Sequence, residues 1–579
     1  KAQRIEKLSD NHYRAVDSYM TTCCGDKPFY RIESHEIDIY PEEKVVIRNA
    51  VMYIMDMPVL YVPYFVQYLV DFKRLPVQVA AGKRSEWGAF VLSKWRYTLA
   101  QSPELSVSGN GLLDYRQKRG VGVGDETFYH GDKVGRGAFR YYYADDNKPE
   151  DNVKAARSRV QWRHQSKLAP DTMLTTEFNK LSDGQVIKDF FYRDEYERDA
   201  FPDNYVSIIT TKPEYTLSIL DRERLNNFHT VVERSPEIRF DTRNRAFADT
   251  PFYLREEAQF TNLKLQGANN TDSAPAVVRY DNNYTLSYAD KAGPVSVTPH
   301  VGTRQTLYSR ARDDDRMLMR GIFDGGIDTS IRFYKVYDVT VRKFGLDFNQ
   351  LRHIFAPQVS YNYRPNPTVT RTLLAQFDEL DSLDKQNFVR MSFENRLQTR
   401  EHASEGSKEL TVRDIARFIP FTDYELHTGR IANLGIQGEF YPYRWMGMQS
   451  DATYNTDLRT FDMVNYDVYF DHGGWKVSVG QRYTRDSGNQ ITGELRYAVP
   501  DKWEAKLYER YEFKEGVSKE FEFVFSKYWD CIITDFIYNR REGDTFMVAL
   551  RLKAFPSTPF TLSQSYNRPK ASSQPEQAL

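Results

Sequence analysis

Cysteine is scarce in this chain, with 3 among 579 residues: the adjacent Cys23 and Cys24, and the distant Cys531. A tetrahedral zinc centre needs spaced ligands, and no Cys-x-x-Cys or His-x-x-x-His pattern accompanies them. A nucleophilic cysteine needs a histidine partner, and the 10 histidines are scattered without a local signature. We therefore predict no metal site, no cofactor and no enzymatic activity.

Long apolar runs and net charge are also lacking. No stretch reaches the roughly 18 consecutive apolar residues that a membrane-spanning helix requires, which excludes such a helix. The formal net charge is −1, so no overall field attracts nucleic acid, and we expect no nucleic-acid partner. The apolar fraction of 40% is below the usual value of about 45–50%, which is too low for several packed soluble cores.

Aromatic residues and strict alternation are abundant instead. Aromatics make up 14% of the chain, with 40 tyrosines and 36 phenylalanines. In "GWKVSVGQRYT" (474–484), Trp475, Val477 and Val479 share one parity, opposite Lys476 and Ser478. Because successive strand side chains point to opposite faces, this pattern predicts a strand with one apolar and one polar face.

Such segments recur from residue 73 to 555 without a linker, separated by polar hairpin turns such as "DSGNQ" (486–490). An open sheet of this size would expose aggregation-prone edges, and closure into a barrel removes them. Strands of about ten residues cross a bilayer when tilted, and about 480 residues at roughly 18–22 per strand give 22–26 strands. We predict an all-β fold, a large antiparallel transmembrane β-barrel of about 22–26 strands. Alternation alone is also compatible with a second interpretation, a soluble β-rich protein whose apolar faces point inward.

The two ends of the chain differ from this pattern. Residues 1–72 contain three strand-like pieces, too few for an independent domain, so we expect the last part of a β-fold. Residues 73–555 form the predicted barrel. Residues 556–579 have the Ser, Pro and Gln composition of a disordered tail.

Glycines occupy every second position at Gly120, Gly122 and Gly124. Neither Lys-Ser nor Lys-Thr follows, which argues against a phosphate loop. A bare strand face instead suits a bend, or close packing against something inside a barrel.

A disulfide is the best use for the cysteines. An oxidising compartment permits the bond, and adjacent cysteines rarely bridge each other because the geometry is strained. In a closed barrel the first and last strands are neighbours, so a large sequence separation can be a short distance. Either Cys23 or Cys24 could pair with Cys531, and three buried reduced cysteines are the alternative.

One segment, "YMTTCCGDKPFYRIESHEIDIYPEE" followed by "IRNAVMYIMDMPVLYVPYF", resembles the junction in the LPS-assembly outer-membrane protein family (LptD, also OstA or Imp). There, the motif leads from a periplasmic jelly roll into the barrel. The residues that carry this junction motif are Thr21, Thr22, Cys23, Ile37, Asn49, Ala50, Pro58, Val59, Tyr61, Pro63 and Tyr64. "LRHIFAPQVSYNYRP" (351–365), "FDELDSLDKQNFVRMSFENRLQTR" (377–400) and "KYWDCIITDFIYNRR" (527–541) are further similar segments.

The resemblance implies a barrel of about 26 strands, which is the best estimate within the range above. It further implies a non-enzymatic translocon that inserts lipopolysaccharide into the outer leaflet of the cell outer membrane. It implies that residues 1–72 are the end of a periplasmic jelly roll that receives lipid from an LptA-like bridge protein, and that an LptE-like lipoprotein is a possible plug. It favours Cys23 as the partner of Cys531, with Cys24 as the alternative. Another large outer-membrane barrel of porin or receptor type is the second hypothesis, and a secreted soluble carbohydrate-binding protein the third.

The resemblance also implies a lateral gate between the first and last strands. The family weakens this seam with prolines, which cannot donate ladder hydrogen bonds. Pro76 matches the first proline, whereas Ser93 stands where the second is expected. The predicted gate residues are Pro76, Val77, Val79, Val548, Leu550 and Leu552.

Overall fold

The computed structural model describes residues 2–21, 23–24, 28–54, 56–68, 77–102, 104–149, 153–191, 195–196, 199–247, 249–271, 274–402, 409–541 and 543–553. The expected tail at 556–579 and the predicted gate residue Pro76 lie outside these residues. Within them the fold is almost entirely β-strand, as predicted. No described helix is long and apolar enough to cross a membrane.

A five-stranded antiparallel sheet in the order β1-β2-β3-β4-β5 comes first. Its strands are β1 (Ala2–Ser9), β2 (His12–Met20), β3 (Tyr30–Tyr40), β4 (Lys44–Ile54) and β5 (Met57–Tyr68). The core on one face includes Ala15, Ile37 and Ile47. The sequence indicated the last three strands, whereas β1 and β2 carry many charged side chains and gave no clear apolar parity.

All remaining strands form one closed barrel. They are β6 (Val77–Arg84), β7 (Gly88–Gln101), β8 (Ser106–Arg116), β9 (Gly120–Gly131), β10 (Gly135–Asp145), β11 (Ala156–Ala169), β12 (Thr172–Leu181), β13 (Tyr205–Thr211), β14 (Tyr215–Arg222), β15 (Val231–Thr242), β16 (Arg245–Ala246), β17 (Phe252–Gln266), β18 (Val277–Tyr288), β19 (Asp290–Ala292), β20 (Val295–Tyr308), β21 (Leu318–Ile331), β22 (Phe333–Val341), β23 (Phe348–Arg364), β24 (Gln386–His402), β25 (Leu410–Glu425), β26 (Arg430–Tyr443), β27 (Met446–Asn455), β28 (Thr460–His472), β29 (Trp475–Thr484), β30 (Gly488–Val499), β31 (Trp503–Glu512), β32 (Val517–Tyr528), β33 (Ile532–Arg540) and β34 (Asp544–Leu552).

Three of these segments are continuations of a preceding strand. β16, β19 and β22 extend β15, β18 and β21, because each pair of segments contacts the same next strand. The barrel therefore has 26 antiparallel strands, which confirms the best estimate from the sequence.

The alternation has the predicted consequence for the barrel wall. On β34, Phe546, Val548 and Leu550 are exposed, whereas Met547 and Ala549 between them are buried. Charged side chains populate the inner face, where Arg157, Arg279 and others are fully buried. The apolar parity therefore faces outward, as in a barrel that crosses a bilayer and not in a soluble β-protein.

The two ends of the barrel are unequal. We call the end where β6 begins and β34 ends the proximal end, and the opposite end the distal end. Since neighbouring strands are antiparallel, connections alternate between the ends. The proximal ones include turns as short as 293–294 and 473–474, whereas the distal ones include the longest connections, 182–204 and 365–385. Each of the two long loops contains a short helix, α1 (Val186–Phe190) or α2 (Glu379–Ser382).

Gly122 and Gly124 lie on the inner face beneath the ring of Tyr142. A Cβ on either glycine would overlap this ring or come within 2.8 Å of it. Tyr142 is fully buried, and its hydroxyl donates a hydrogen bond to Asp114 at 2.9 Å and accepts one from Arg116 at 2.7 Å. The glycine pattern thus provides close packing inside the barrel, as the sequence suggested.

Candidate functional site: the barrel seam and its link to the N-terminal sheet

The seam between the last strand β34 and the first strand β6 closes the barrel with few ladder pairs. Among the described residues of the seam, five pairs form, from Thr545 opposite Arg84 to Ala549 opposite Ala80. By comparison, β33 and β34 form nine pairs, and β6 and β7 form eight. Because each ladder pair adds backbone hydrogen bonds, this seam is held less firmly than the junctions on either side of it.

The seam is paired at its distal end and separated at its proximal end. The same register, continued, would place Val79 opposite Leu550 and Val77 opposite Leu552. These residues belong to the described strands and pair with β7 and β33 on their other sides, yet no pair joins them across the seam. The two strands therefore diverge over their last three positions, on the side of the N-terminal sheet.

The structure brings most of the predicted gate residues to this seam. Val79, Val548 and Leu550 are about half exposed and face outward, toward the lipid side of the wall. Val77 and Leu552 lie at the strand ends where the two strands separate. Ser93, at the place of the family's second proline, is buried, and its hydroxyl donates to the carbonyl oxygen of Leu113 at 2.6 Å.

A disulfide links the N-terminal sheet to the proximal end of the barrel. Cys23 and Cys531 are bonded across 508 positions of sequence, with their Cα atoms 4.9 Å apart. Cys531 lies in the turn between β32 and β33 and packs against Tyr30 and Ile532. Cys24 is an exposed free thiol whose backbone N–H donates to the carboxylate of Asp530 at 3.0 Å. The bridge thus joins the sheet to the end of the barrel at which the seam is open.

The junction motif residues surround this link and the last two strands of the sheet. Thr21 accepts a hydrogen bond from the backbone N–H of Cys23 at 3.2 Å and donates one to the carbonyl oxygen of Tyr30 at 2.6 Å. Asn49 has a φ of 54°, a conformation that asparagine tolerates better than most residues. Its side chain accepts a hydrogen bond from Tyr61 at 2.8 Å.

Of the other motif residues, Ile37 on β3 and Ala50 on β4 are buried, and the rest lie on β5 or outside the described part. Pro58, Pro63 and Tyr64 belong to β5, and all three are exposed. Thr22 lies outside the described residues. The motif thus places five residues on β5, namely Pro58, Val59, Tyr61, Pro63 and Tyr64, and Asn49 on β4 bonds to one of them.

Asp38 is the electrostatic centre of the sheet. Its side chain is only 1% exposed and accepts hydrogen bonds from Arg14 at 2.8 Å and from His12 at 3.0 Å, and it also pairs with Arg48. Burial opposes ionisation, but these donors outweigh it and hold the pKa of Asp38 well below its ordinary value. The sequence gave no signal for this cluster, because its members come from three strands.

Buried arginines anchor the two long distal loops inside the barrel. Arg157 on β11 pairs with Asp183 at 2.7 Å and also with Asp189 in the loop at 182–204. Arg279 on β18 pairs with Asp378 at 2.7 Å and with Asp381 at 2.9 Å in the loop at 365–385.

The second loop receives a further anchor. Arg320 donates to the carbonyl oxygens of Val369 at 3.1 Å and Leu380 at 3.0 Å. Burial raises the pKa of Asp378, but the hydrogen bond and charge of Arg279 outweigh this and lower it overall. Both loops therefore fold inward onto the wall. The sequence showed these arginines on the polar parity of their strands, but not which acids they meet.

Curated relatives share one name. The chain is 26% identical over 213 residues to the LPS-assembly protein LptD of Histophilus somni, which covers 36% of this chain and 27% of that protein. It is 24% identical over 388 residues to LptD of Actinobacillus pleuropneumoniae, covering 62% of this chain and 46% of that protein. It is 23% identical over 585 residues to LptD of Acinetobacter baumannii, covering 90% of this chain and 66% of that protein.

Two further comparisons do not identify a family. No family model matches the chain. A solved structure of the FrpB iron transporter from Neisseria meningitidis has a TM-score of 0.31 and 7% identity, covering 90% of this chain and 88% of that chain. A TM-score of this size carries no argument.

The alignments with the first two relatives span less than half of those proteins' own length. They nevertheless agree in name, and one of the relatives aligns with nearly all of this chain. The resemblance seen in the sequence is thereby confirmed: the chain is a distant relative of the LPS-assembly proteins named LptD.

Proposed function

We propose that this protein is an outer-membrane lipopolysaccharide translocon that releases its lipid into the outer leaflet through a lateral gate between β6 and β34. The observation that supports the gate is the pairing at the seam, which has five ladder pairs at the distal end and diverging strands at the proximal end. The named relatives support lipopolysaccharide as the substrate. Among the described residues, no feature favours a porin or receptor barrel over this assignment.

The gate agrees with the physical demands of moving lipopolysaccharide. Its sugar portion needs a polar path, and the inner wall carries charged residues. Its acyl chains need to reach the bilayer without crossing water, and a parting of two strands provides such an exit. A seam with few ladder pairs lowers the free energy needed to part them.

The N-terminal sheet is the proposed entry. We propose that residues 1–72 are the end of a periplasmic jelly roll, that it receives lipid from an LptA-like bridge protein, and that an LptE-like lipoprotein occupies part of the lumen. The disulfide supports this arrangement, because it holds the sheet at the end of the barrel where the seam is open.

Locking the seam tests the gate. Ala81 and Val548 face each other across it, so the double variant Ala81→Cys/Val548→Cys can be cross-linked by oxidation and released by reductant. Leu495→Cys/Leu507→Cys is the matched control, since these residues face each other across the β30–β31 pair, with β32 and β33 between that pair and the seam strand β34. Each variant replaces the depleted wild-type protein in the source cell, and newly exported lipopolysaccharide is labelled at the cell surface.

We expect the oxidised seam pair to stop surface labelling and reductant to restore it, while the control pair leaves labelling unchanged. Normal labelling with a fully cross-linked seam would refute the lateral gate. Normal labelling after depletion of the protein itself would refute the role in lipopolysaccharide export.

A further inference from the structure

An apolar cluster bridges the distal half of the seam on the inner face, where the wall is otherwise rich in polar groups. We call it the seam cluster, and its buried members are Ala80, Trp87, Phe90, Ile537, Met547 and Ala549. They come from both sides of the seam: Ala80 from β6 and Met547 from β34, for example. Their burial therefore adds cross-seam stabilisation to the five ladder pairs.

Trp87 connects this cluster to a loop inside the barrel. It lies in the turn between β6 and β7, is 4% exposed, and packs edge-on against Phe90 with ring centroids 5.3 Å apart. Its indole Nε1–H donates to the backbone carbonyl oxygen of Asp189 in α1 at 3.0 Å. The guanidinium of Arg116 lies between the two elements, 4.5 Å from the Trp87 ring centroid and 5.1 Å from that of Phe190.

The helix α1 is held only by what surrounds it. It has five residues, far below the roughly 12–15 that an isolated helix needs for marginal stability. Val186, Ile187 and Phe190 are buried against inner-wall residues, among them Leu112 and Tyr142. The helix can therefore leave the wall as one unit when its apolar contacts with the inner wall are broken.

The turn that carries Trp87 is also bonded to the last strand. The backbone N–H of Ser85 donates to the carbonyl oxygen of Asp544 at 3.0 Å, and the N–H of Asp544 donates to the hydroxyl of Ser85 at 3.0 Å. This turn therefore contacts the seam on one side and α1 on the other.

We propose that α1 is a latch for the seam, and that Trp87 transmits its position. With α1 on the inner wall, Trp87 is fixed in the seam cluster and the distal half of the seam stays paired. When α1 leaves the wall, Trp87 loses its hydrogen-bond acceptor, and Arg116, which stays on β8 beside Trp87, loses its contact with Phe190. The seam then opens more often. The purpose of the latch rests on the proposed lipid gate, whereas the coupling between loop and seam does not.

Amide hydrogen exchange of the whole chain in detergent micelles, without added lipid, tests the coupling. Phe190→Ala is the decisive variant, because Phe190 packs in the α1 contact and is not a member of the seam cluster. Trp87→Phe keeps an aromatic ring but removes the indole donor and part of the packed ring. Trp445→Ala is the matched control, since Trp445 also packs among aromatic rings, 4.2 Å from Tyr443, but lies in the proximal turn between β26 and β27.

We expect Phe190→Ala to raise exchange at residues 80–84 and 545–549 at least tenfold, and Trp87→Phe to raise it severalfold. Trp445→Ala should leave these amides unchanged. The latch is refuted if Phe190→Ala accelerates exchange in 186–191 but not at the seam, or if Trp445→Ala accelerates the seam equally. Heat-modifiable migration on SDS gels identifies any variant that has not folded, and the remaining variant then decides.

The outcome is independent of lipid export. Seam exchange that responds to Phe190→Ala while surface labelling survives a locked seam would retain the latch and refute the gate. If seam exchange does not respond to Phe190→Ala while the seam cross-link blocks export, the latch is refuted and the gate is retained.

Discussion

Gly82 lies directly against Phe546 across the barrel seam, so that a Cβ on Gly82 would overlap the carbonyl oxygen of Phe546. The ring of Phe90 covers the same glycine, with its Cζ 2.7 Å from the position of that Cβ. The paired half of the seam thus depends on a residue without a side chain. Glycine fits here for reasons of space, since its φ is not positive.

Gly82→Val should therefore open the seam. The added side chain forces β6 and β34 apart, and we expect a cost of about 1–3 kcal/mol, the usual range for overpacking. Faster amide exchange at 545–549 would report it. Gly493→Val is the control, because no atom lies within 4 Å of a Cβ at Gly493. Equal effects of the two substitutions would contradict the close contact at the seam.

The disulfide predicts a defined pattern of thiol reactivity. In the non-reduced protein, peptide mapping by mass spectrometry should recover Cys23 linked to Cys531, with Cys24 alkylated. Cys24→Ser should leave the linked peptide intact. Cys531→Ser should free the N-terminal sheet and destabilise its attachment by about 2–4 kcal/mol, the usual contribution of a disulfide. A peptide joining Cys24 to Cys531 would show that the alternative pairing forms.

Asp38 predicts acid sensitivity of the N-terminal sheet. Its pKa is lower in the folded protein than in the unfolded chain, so its contribution to stability is fully present above the unfolded value of about 3.9. That contribution is lost as the pH falls below this value toward the lower folded pKa. Amide exchange of β2–β4, or circular dichroism, measured between about pH 6 and about pH 2 should show this loss.

Asp38→Asn should remove most of this pH dependence and cost about 1–3 kcal/mol, the range for hydrogen bonds to charged groups. Asp17→Asn is the control, because Asp17 pairs with His35 in an exposed position, where ion pairs contribute about 0–1 kcal/mol. A sheet whose acid midpoint is the same in wild type and Asp38→Asn would contradict the role of this cluster.

Arg279 should control the order of the loop at 365–385. Arg279→Ala leaves Asp378 and Asp381 without their main cation, and loss of one partner of a buried pair costs about 3–5 kcal/mol. We expect faster proteolysis within this loop and higher ion conductance of the barrel in planar bilayers. Arg371→Ala, in the same loop and more than half exposed, should change neither. Unchanged proteolysis in Arg279→Ala would mean that other contacts hold the loop.

Several features could be predicted from the sequence because they depend on local pattern. The two-residue period of "GWKVSVGQRYT" and "DTFMVALRL" indicated β29 and β34, and the length of the region bounded the number of strands at about 22–26. The family resemblance indicated 26 within that range. The alternate glycines indicated a bare inner face, which Tyr142 fills. The alternation of faces follows from the pleat of a strand, and it can be seen in any short segment of the sequence.

Other features required the folded chain because they join residues far apart in sequence. The period shows that a strand has two faces but not which one meets lipid, and only the closed ring decides this for Phe546 and Met547. Likewise, the charges of Arg279 and Asp378 were visible, but their pairing across 99 positions was not.

The sequence by itself determined most of the barrel strands and their two faces, because these depend on neighbouring residues, and its length bounded the number of strands. Tertiary structure alone decided that β6 and β34 pair over five positions and then part, that Cys23 and not Cys24 meets Cys531, and that Trp87 joins the seam to α1. Those relationships depend on register and on contacts between distant segments, which packing of the whole barrel fixes.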